Sequence, residues 1–158
     1  MDSFSKGHSV GVAYQFVVRS EPRPQPRPRA TRIGSRVRIY TPSTASLYKA
    51  AVQAAARDAV PFGSTPIESP IKLTGEFVLK RPKRLKKAEL LVPHVARPDL
   101  DNLIKSTQDA IVDSGILGDD CIIWSINMIK RYADPEEAPH VSITLSVEST
   151  VENGKIME

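Results

Sequence analysis

Cysteine is almost missing from this chain, with one in 158 residues. Cys121 has no partner for an internal disulfide, which points to a reducing, cytoplasmic setting. Its neighbours Ile122 and Ile123 mark it as an inert strand cysteine. Histidine is nearly as scarce, with three in the chain. No second histidine or cysteine stands at a ligand spacing from His94, which argues against zinc and leaves it a structural or solvent-facing loop residue. Met1 to His8 is polar with no apolar leader core, and no later run reaches the roughly 18 apolar residues of a membrane span. Secretion and membrane insertion are thereby set aside, and no internal repeat is present. A chain this long buries roughly 70% of its unfolded surface, so a single core suffices. The expected organisation is a disordered lead at residues 1–10, one domain over residues 11–148 and a flexible tail at residues 149–158.

What the chain does have is positive charge in blocks. The net charge of +4 is mild, but its distribution says more. Arg19, Arg23, Arg27, Arg29, Arg32, Arg36 and Arg38 face only Glu21. The alternating prolines from Pro22 to Pro28 remove backbone donors and hold this stretch extended. Such a stiff, arginine-bearing connector suits contact with a phosphate backbone, the alternatives being a solvated segment or another acidic partner. A second block, Lys80, Arg81, Lys83, Arg84, Lys86 and Lys87, has no helical face and reads as a loop that orders only on nucleic acid, or as a solubilising surface. Lys130 and Arg131 end a strand and could also meet phosphate.

Periodicity places these blocks on a fold. Tyr14 to Val18 reads as a strand, and Thr31 to Tyr40 as a hairpin turning at Gly34-Ser35 with its basic side chains on one face. Ser43 or Thr44 can cap a helix that buries Leu47, Tyr48, Ala51, Val52, Ala55 and Ala59, and Pro61 ends it. Ile71 to Leu79 has a strand period. A helix starting at Leu100, capped by Asp99, turns Leu100, Leu103, Thr107, Ala110 and Ile111 to a sheet and stops near Ser114-Gly115. Strands follow at Cys121 to Ile126, with Asn127 to Tyr132 either extending it or following a bend, and at Val141 to Val147. Trp124 reads as core or subunit-interface packing rather than a stacking platform for bases. The fold class is α+β, a mixed β-sheet with packed helices.

One acidic stretch stands out against the basic blocks. Asp99 and Asp101 are two apart, which on a regular helix would aim them apart, but Asp99 lies ahead of the helix and both can face one cleft. Asp119-Asp120 precedes the next strand and can return to the pair. Three convergent carboxylates suit the hard, octahedral Mg²⁺ ion, with Mn²⁺ a substitute. Bound Mg²⁺ can activate water and compensate charge in phosphodiester hydrolysis. Lys105, one turn beyond Asp101, could pair with that carboxylate or stabilise a phosphate, and is a poorer candidate for general base. Asn102, Asp109 and Asp119 read as supporting residues. The bland reading of the same residues is an N-cap, a surface ion pair and a hydrophilic turn.

The string Asp99-Leu100-Asp101-Asn102-Leu103-Ile104-Lys105, followed by Asp109-Ala110-Ile111 and by Asp119-Asp120 before an apolar strand, resembles the RusA-like Holliday-junction endonucleases of bacteria and their phages. Pro26-Arg27-Pro28-Arg29 and Lys130-Arg131-Tyr132 extend the resemblance. It implies a metal-binding and catalytic set of Asp99, Asp101 and Asp120, with Lys105 catalytic or DNA-contacting. It also implies a homodimer with one site for each of two symmetry-related strands of a four-way junction. Two other readings fit the sequence: a less selective nuclease of flaps and forks, and a non-catalytic DNA-binding relative.

Overall fold

The computed structural model describes residues 7–40, 42–152 and 155–156. The elements in chain order are β1 (Gly7–Val18), β2 (Arg29–Ile33), β3 (Arg36–Tyr40), α1 (Ser46–Asp58), β4 (Ile71–Leu79), α2 (Leu100–Asp113), a 3₁₀ turn (Asp120–Ile122), β5 (Ile123–Tyr132), β6 (His140–Glu152) and β7 (Lys155–Ile156). The main sheet runs β1-β6-β4-β5, with β7 paired to β6; β2 and β3 form a separate two-stranded sheet. Among the described strands only β4 and β5 pair in parallel, joined by a crossover that contains α2, and the other strand pairs are antiparallel. This is the mixed sheet with packed helices expected from the sequence.

Alternation decides which face of the sheet is buried. Ile71, Leu73 and Phe77 of β4 and Val141, Ile143 and Leu145 of β6 are buried in one cluster with Tyr48, Val52 and Ala56 of α1 and Leu103, Ala110 and Ile111 of α2. At the sheet centre Gly75 lies opposite Ile143 at φ 153°, so close to β6 that any Cβ would collide with the Ser142 carbonyl oxygen. The two helices are tied by a 2.6 Å hydrogen bond between the Tyr48 and Thr107 hydroxyls. Burial pushes the Tyr48 phenol above its ordinary pKa, so the bond is made by a neutral group.

Several expectations need correction. Residues 7–10 and 149–152 are paired strand, with His8 opposite Thr150; the remainder of the expected lead and tail, residues 1–6, 153–154 and 157–158, lies outside the described residues. No side chain caps α1: its N-cap position is Ala45, and Leu47 is exposed because Tyr48, Val52 and Ala56 form the buried stripe. Cys121 is exposed in the 3₁₀ turn rather than buried in a strand. A hydrogen bond with Asp119 pushes its thiol pKa up, so it is a weak nucleophile. Trp124 is 57% exposed, which excludes a core role within the chain.

Candidate functional site

The helix α2 starts where the sequence places it, and its first residue outside the helix is the informative one. Asp99 occupies the N-cap position in extended geometry (φ −70°, ψ 145°), yet its side chain makes no capping bond. Among the described residues, neither the Asp99 nor the Asp101 carboxylate has a hydrogen-bond or ion-pair partner, which leaves four carboxylate oxygens at the head of one helix open to solvent. The expected cap is therefore absent, and the side chain is left free for a ligand.

The backbone around this helix start is held by residues that the sequence reading assigned elsewhere. The Lys130 ammonium donates to the carbonyl oxygens of Ala96 at 2.8 Å and Pro98 at 2.6 Å. It fastens the turn that delivers Asp99 to the C-terminal end of β5, and that network occupies a charge expected to face DNA. On the other side, the Gln25 backbone N–H donates to the Asn102 carbonyl at 3.1 Å, docking the proline-rich connector against α2. The result is an opening of about 560 Å³ lined by the connector from Glu21 to Arg27 together with Leu79, Arg97, Asp99 and Asn102. It lies beyond the C-terminal end of β4, where ligand sites of parallel βαβ units commonly form.

A second opening, of about 340 Å³, lies further along α2 and is lined by Lys49, Lys105, Asp109, Asp113, Asp119 and Asp120. Lys105 is its centre. Its ammonium donates to Asp120 at 2.8 Å and lies 2.9 Å from Asp109, one turn on. The expected partner, Asp101, is not used. The Asp120 and Asp109 carboxylates hold the Lys105 pKa well above its ordinary value, so it stays cationic. Lys49 reaches Asp109 from α1 at 3.6 Å, completing a chain of alternating charge: Lys49, Asp109, Lys105, Asp120. Asp119 caps the 3₁₀ turn by accepting from the Cys121 N–H at 2.8 Å, which lowers its own pKa and sets the turn that carries Asp120.

Lys49 was missed in the sequence. Its signal is that it is the one charged residue of α1 before Arg57, in an alanine-rich helix whose buried face includes the adjacent Tyr48.

The carboxylates named for a metal are of the right chemistry, hard oxygen donors with Asp99 and Asp101 free. They are not gathered into a ready-made cage. Asp99 lines the first opening, Asp120 the second, and among the described residues no group of three or more His, Cys, Asp or Glu side chains is disposed to hold a metal ion. Lys105 already neutralises Asp120, so a cation would find Asp99 and Asp101 free and Asp120 shared.

The basic residues divide sharply. Arg131 is buried, with its guanidinium on both oxygens of Glu76 (3.0 Å and 3.0 Å) and of Glu137 (2.6 Å and 2.9 Å), so it is a structural clamp and cannot face DNA. Arg81 also turns inward, donating to the carbonyls of Ala133 and Glu89 at 3.1 and 2.8 Å. It gives the expected free loop a fixed path, on which Lys80, Lys83, Arg84, Lys86 and Lys87 are exposed. Arg23 is exposed but paired to Glu21 at 2.8 Å. Arg27, Arg29, Arg32, Arg36 and Arg38 are all exposed. In the hairpin register, Arg29, Arg36 and Arg38 share one face, while Arg32 falls on the other opposite Val37, which corrects the single basic face expected.

His94 is buried with its ring 4.5 Å from that of Tyr132, and burial lowers its pKa, which settles the structural reading over the solvent-facing one.

Residues 20–146 match the family described as Endodeoxyribonuclease RusA. The chain belongs to this family. The match opens just ahead of the proline-rich connector and closes within β6, so both openings along α2, the Lys49 to Asp120 charge chain and the Lys130 staple fall inside it. Membership of the RusA family makes the chain an endodeoxyribonuclease. No curated protein matches it, and no helix among the described residues is long and apolar enough to cross a membrane.

Proposed function

We propose that this endodeoxyribonuclease is a Mg²⁺-dependent resolvase of four-way DNA junctions that works as a homodimer and nicks two symmetry-related strands. The observation that carries the reading is the row along α2: free carboxylates at Asp99 and Asp101, then the Lys105–Asp120 pair, bordered by an exposed arginine-rich connector and hairpin. A carboxylate site needs cations around it to admit a polyanion, and the connector docked at Asn102 supplies them.

Asp99, Asp101 and Asp120 would hold the metal. When bound, Mg²⁺ supplies water activation and charge compensation at the scissile phosphate. Lys105 keeps a proton at Nζ and offers its ammonium to phosphate oxygens, a role for which its raised pKa suits it better than that of a base. Asp109 holds that ammonium in place and is itself paired with Lys49, and Lys130 fixes the turn ahead of Asp99.

The test is cleavage of four-way junctions, forks, flaps and linear duplexes of matched sequence, with Mg²⁺, with Mn²⁺ and with chelator. The expected outcome is metal-dependent paired nicking that favours the four-way junction. Equal cutting of linear duplex would refute junction resolution, and equal cutting of flaps and forks would make the protein a general branch nuclease.

A further inference from the structure

The β2–β3 hairpin has no place in the core. All ten of its strand residues are exposed, and its strands pair only with each other. Ile33, Val37 and Ile39 are 60%, 68% and 72% exposed. An isolated two-stranded hairpin is marginally stable in water, so so much open apolar surface on one calls for an occupant.

Charge says which. From Pro22 to Arg57 the sequence has no Asp or Glu, and the hairpin itself carries Arg29, Arg32, Arg36 and Arg38. That favours a polyanion over a second copy of the same basic surface. The cross-strand register then splits the element into two working faces. Arg29, Arg36 and Arg38 lie on one with Ile33 and Tyr40, while Ala30, Val37 and Ile39 lie on the other with Arg32. Position adds a third constraint. One stem leads from Gln25, docked on Asn102 beside Asp99; the other leads into α1, whose Lys49 meets Asp109. The hairpin springs from both openings of the site.

We propose that the β2–β3 hairpin reads DNA branches, its arginines gripping phosphates while Val37 and Ile39 pack against base-pair faces that a branch leaves unstacked. The inference rests on the junction-nuclease reading above and names the element that makes it selective. A two-stranded ribbon fits the major groove. Apolar wedges enter between base steps only after unstacking them, at a cost of a few kcal/mol per closed step. A branch has already interrupted the stack, so the same side chains gain burial there without that cost. Arginines on the opposite face bind any phosphate backbone and raise affinity without choosing a structure.

The two faces separate in a binding experiment without divalent metal, using the full chain, a four-way junction and a linear duplex across a salt series. The Val37→Thr/Ile39→Thr variant keeps β-branched residues suited to strand and should lose about tenfold in junction affinity, with duplex affinity and salt slope unchanged. The Arg36→Gln/Arg38→Gln variant should weaken both DNAs alike and flatten the log–log salt slope by about 1.8. Full junction preference in the threonine variant overturns the proposal, as does a wild-type protein that binds the two DNAs equally. If sedimentation shows that the threonine variant has lost self-association, the apolar face belongs to a second copy and the proposal also fails. Junction cleavage by the wild-type protein in any of these cases leaves the nuclease reading standing.

Discussion

The Lys105 ammonium bridges Asp109 on its own helix at 2.9 Å and Asp120 on the turn ahead of β5 at 2.8 Å. Its side chain is 53% exposed, so the pairs contribute little to stability, about 0–1 kcal/mol each. What they fix is position and charge. The raised pKa means that Lys105 is fully protonated below the ordinary lysine value, and its pairing is lost only as pH climbs through the higher folded value. Lys105→Met should therefore fold normally yet cleave about 100-fold or more slowly. The wild-type pH–rate profile should show no loss of a lysine proton between pH 6 and 10. A falling limb in that window that disappears in the Met variant would assign Lys105 a base role instead.

Asp99→Asn, Asp101→Asn and Asp120→Asn each remove a charge proposed to hold metal. Each should reduce Mg²⁺-dependent cleavage about 100-fold or more, while circular dichroism and junction binding without metal stay near wild type. Cleavage at the wild-type rate in the Asp101 and Asp120 variants would remove this site from the mechanism.

Lys49 lies 3.6 Å from Asp109, and the role proposed for it is to act through that carboxylate rather than on DNA directly. Lys49→Met should lower the single-turnover cleavage rate by about tenfold with junction affinity unchanged, and Lys49→Arg should restore part of the rate. A variant that instead weakens junction binding and flattens its salt dependence would make Lys49 a phosphate contact.

The Arg131 clamp predicts an acid limit. Arg131 lowers the Glu137 carboxyl pKa from an ordinary value of 4.5 to about 2. The folded value is depressed, so its contribution is present above pH 4.5 and drains away as pH falls toward 2. Urea midpoints should drop across that window, and less steeply in Glu137→Gln. Arg131→Met, which leaves the Glu76 and Glu137 carboxylates without their cation, should cost about 3–5 kcal/mol at neutral pH.

Gly75→Ala should be among the most damaging small substitutions in the sheet. The added methyl meets the Ser142 carbonyl oxygen, and the backbone sits at φ 153°. Loss of about 3 kcal/mol or more in chemical denaturation is expected, with Ser142→Gly giving no rescue, because the clash is with backbone.

Local signals carried most of the fold. Gly34 adopts φ 64° at the hairpin turn, and α2 begins at Leu100 and ends before Gly115 at φ 85°, as turn and C-cap chemistry required. The alanine-rich α1 was harder, since a weak apolar contrast let Leu47 look buried beside Tyr48. The acidic string was legible as chemistry but its pairings were not. Lys105 has Asp101 and Asp109 equally spaced on either side in sequence, and the choice was made by Asp120, which arrives from another element. Arg131 looked like a surface cation because its partners are distant or beyond a turn: Glu76 lies on the neighbouring strand and Glu137 past the strand end. Lys49 had no local signature of function because its partner sits on a different helix.

The place of β6 in the sheet has a consequence for how the enzyme is made. It lies between β1 and β4 and holds both, pairing Val18 with Val141 and His8 with Thr150. Both β1 and β4 wait for a strand that follows them in the chain, and such long-range pairing is slow to form. The parallel β4–β5 unit that carries the acidic row completes its core only when β6 arrives. A nascent chain still lacking residues 140–152 therefore has no finished sheet behind its acidic row.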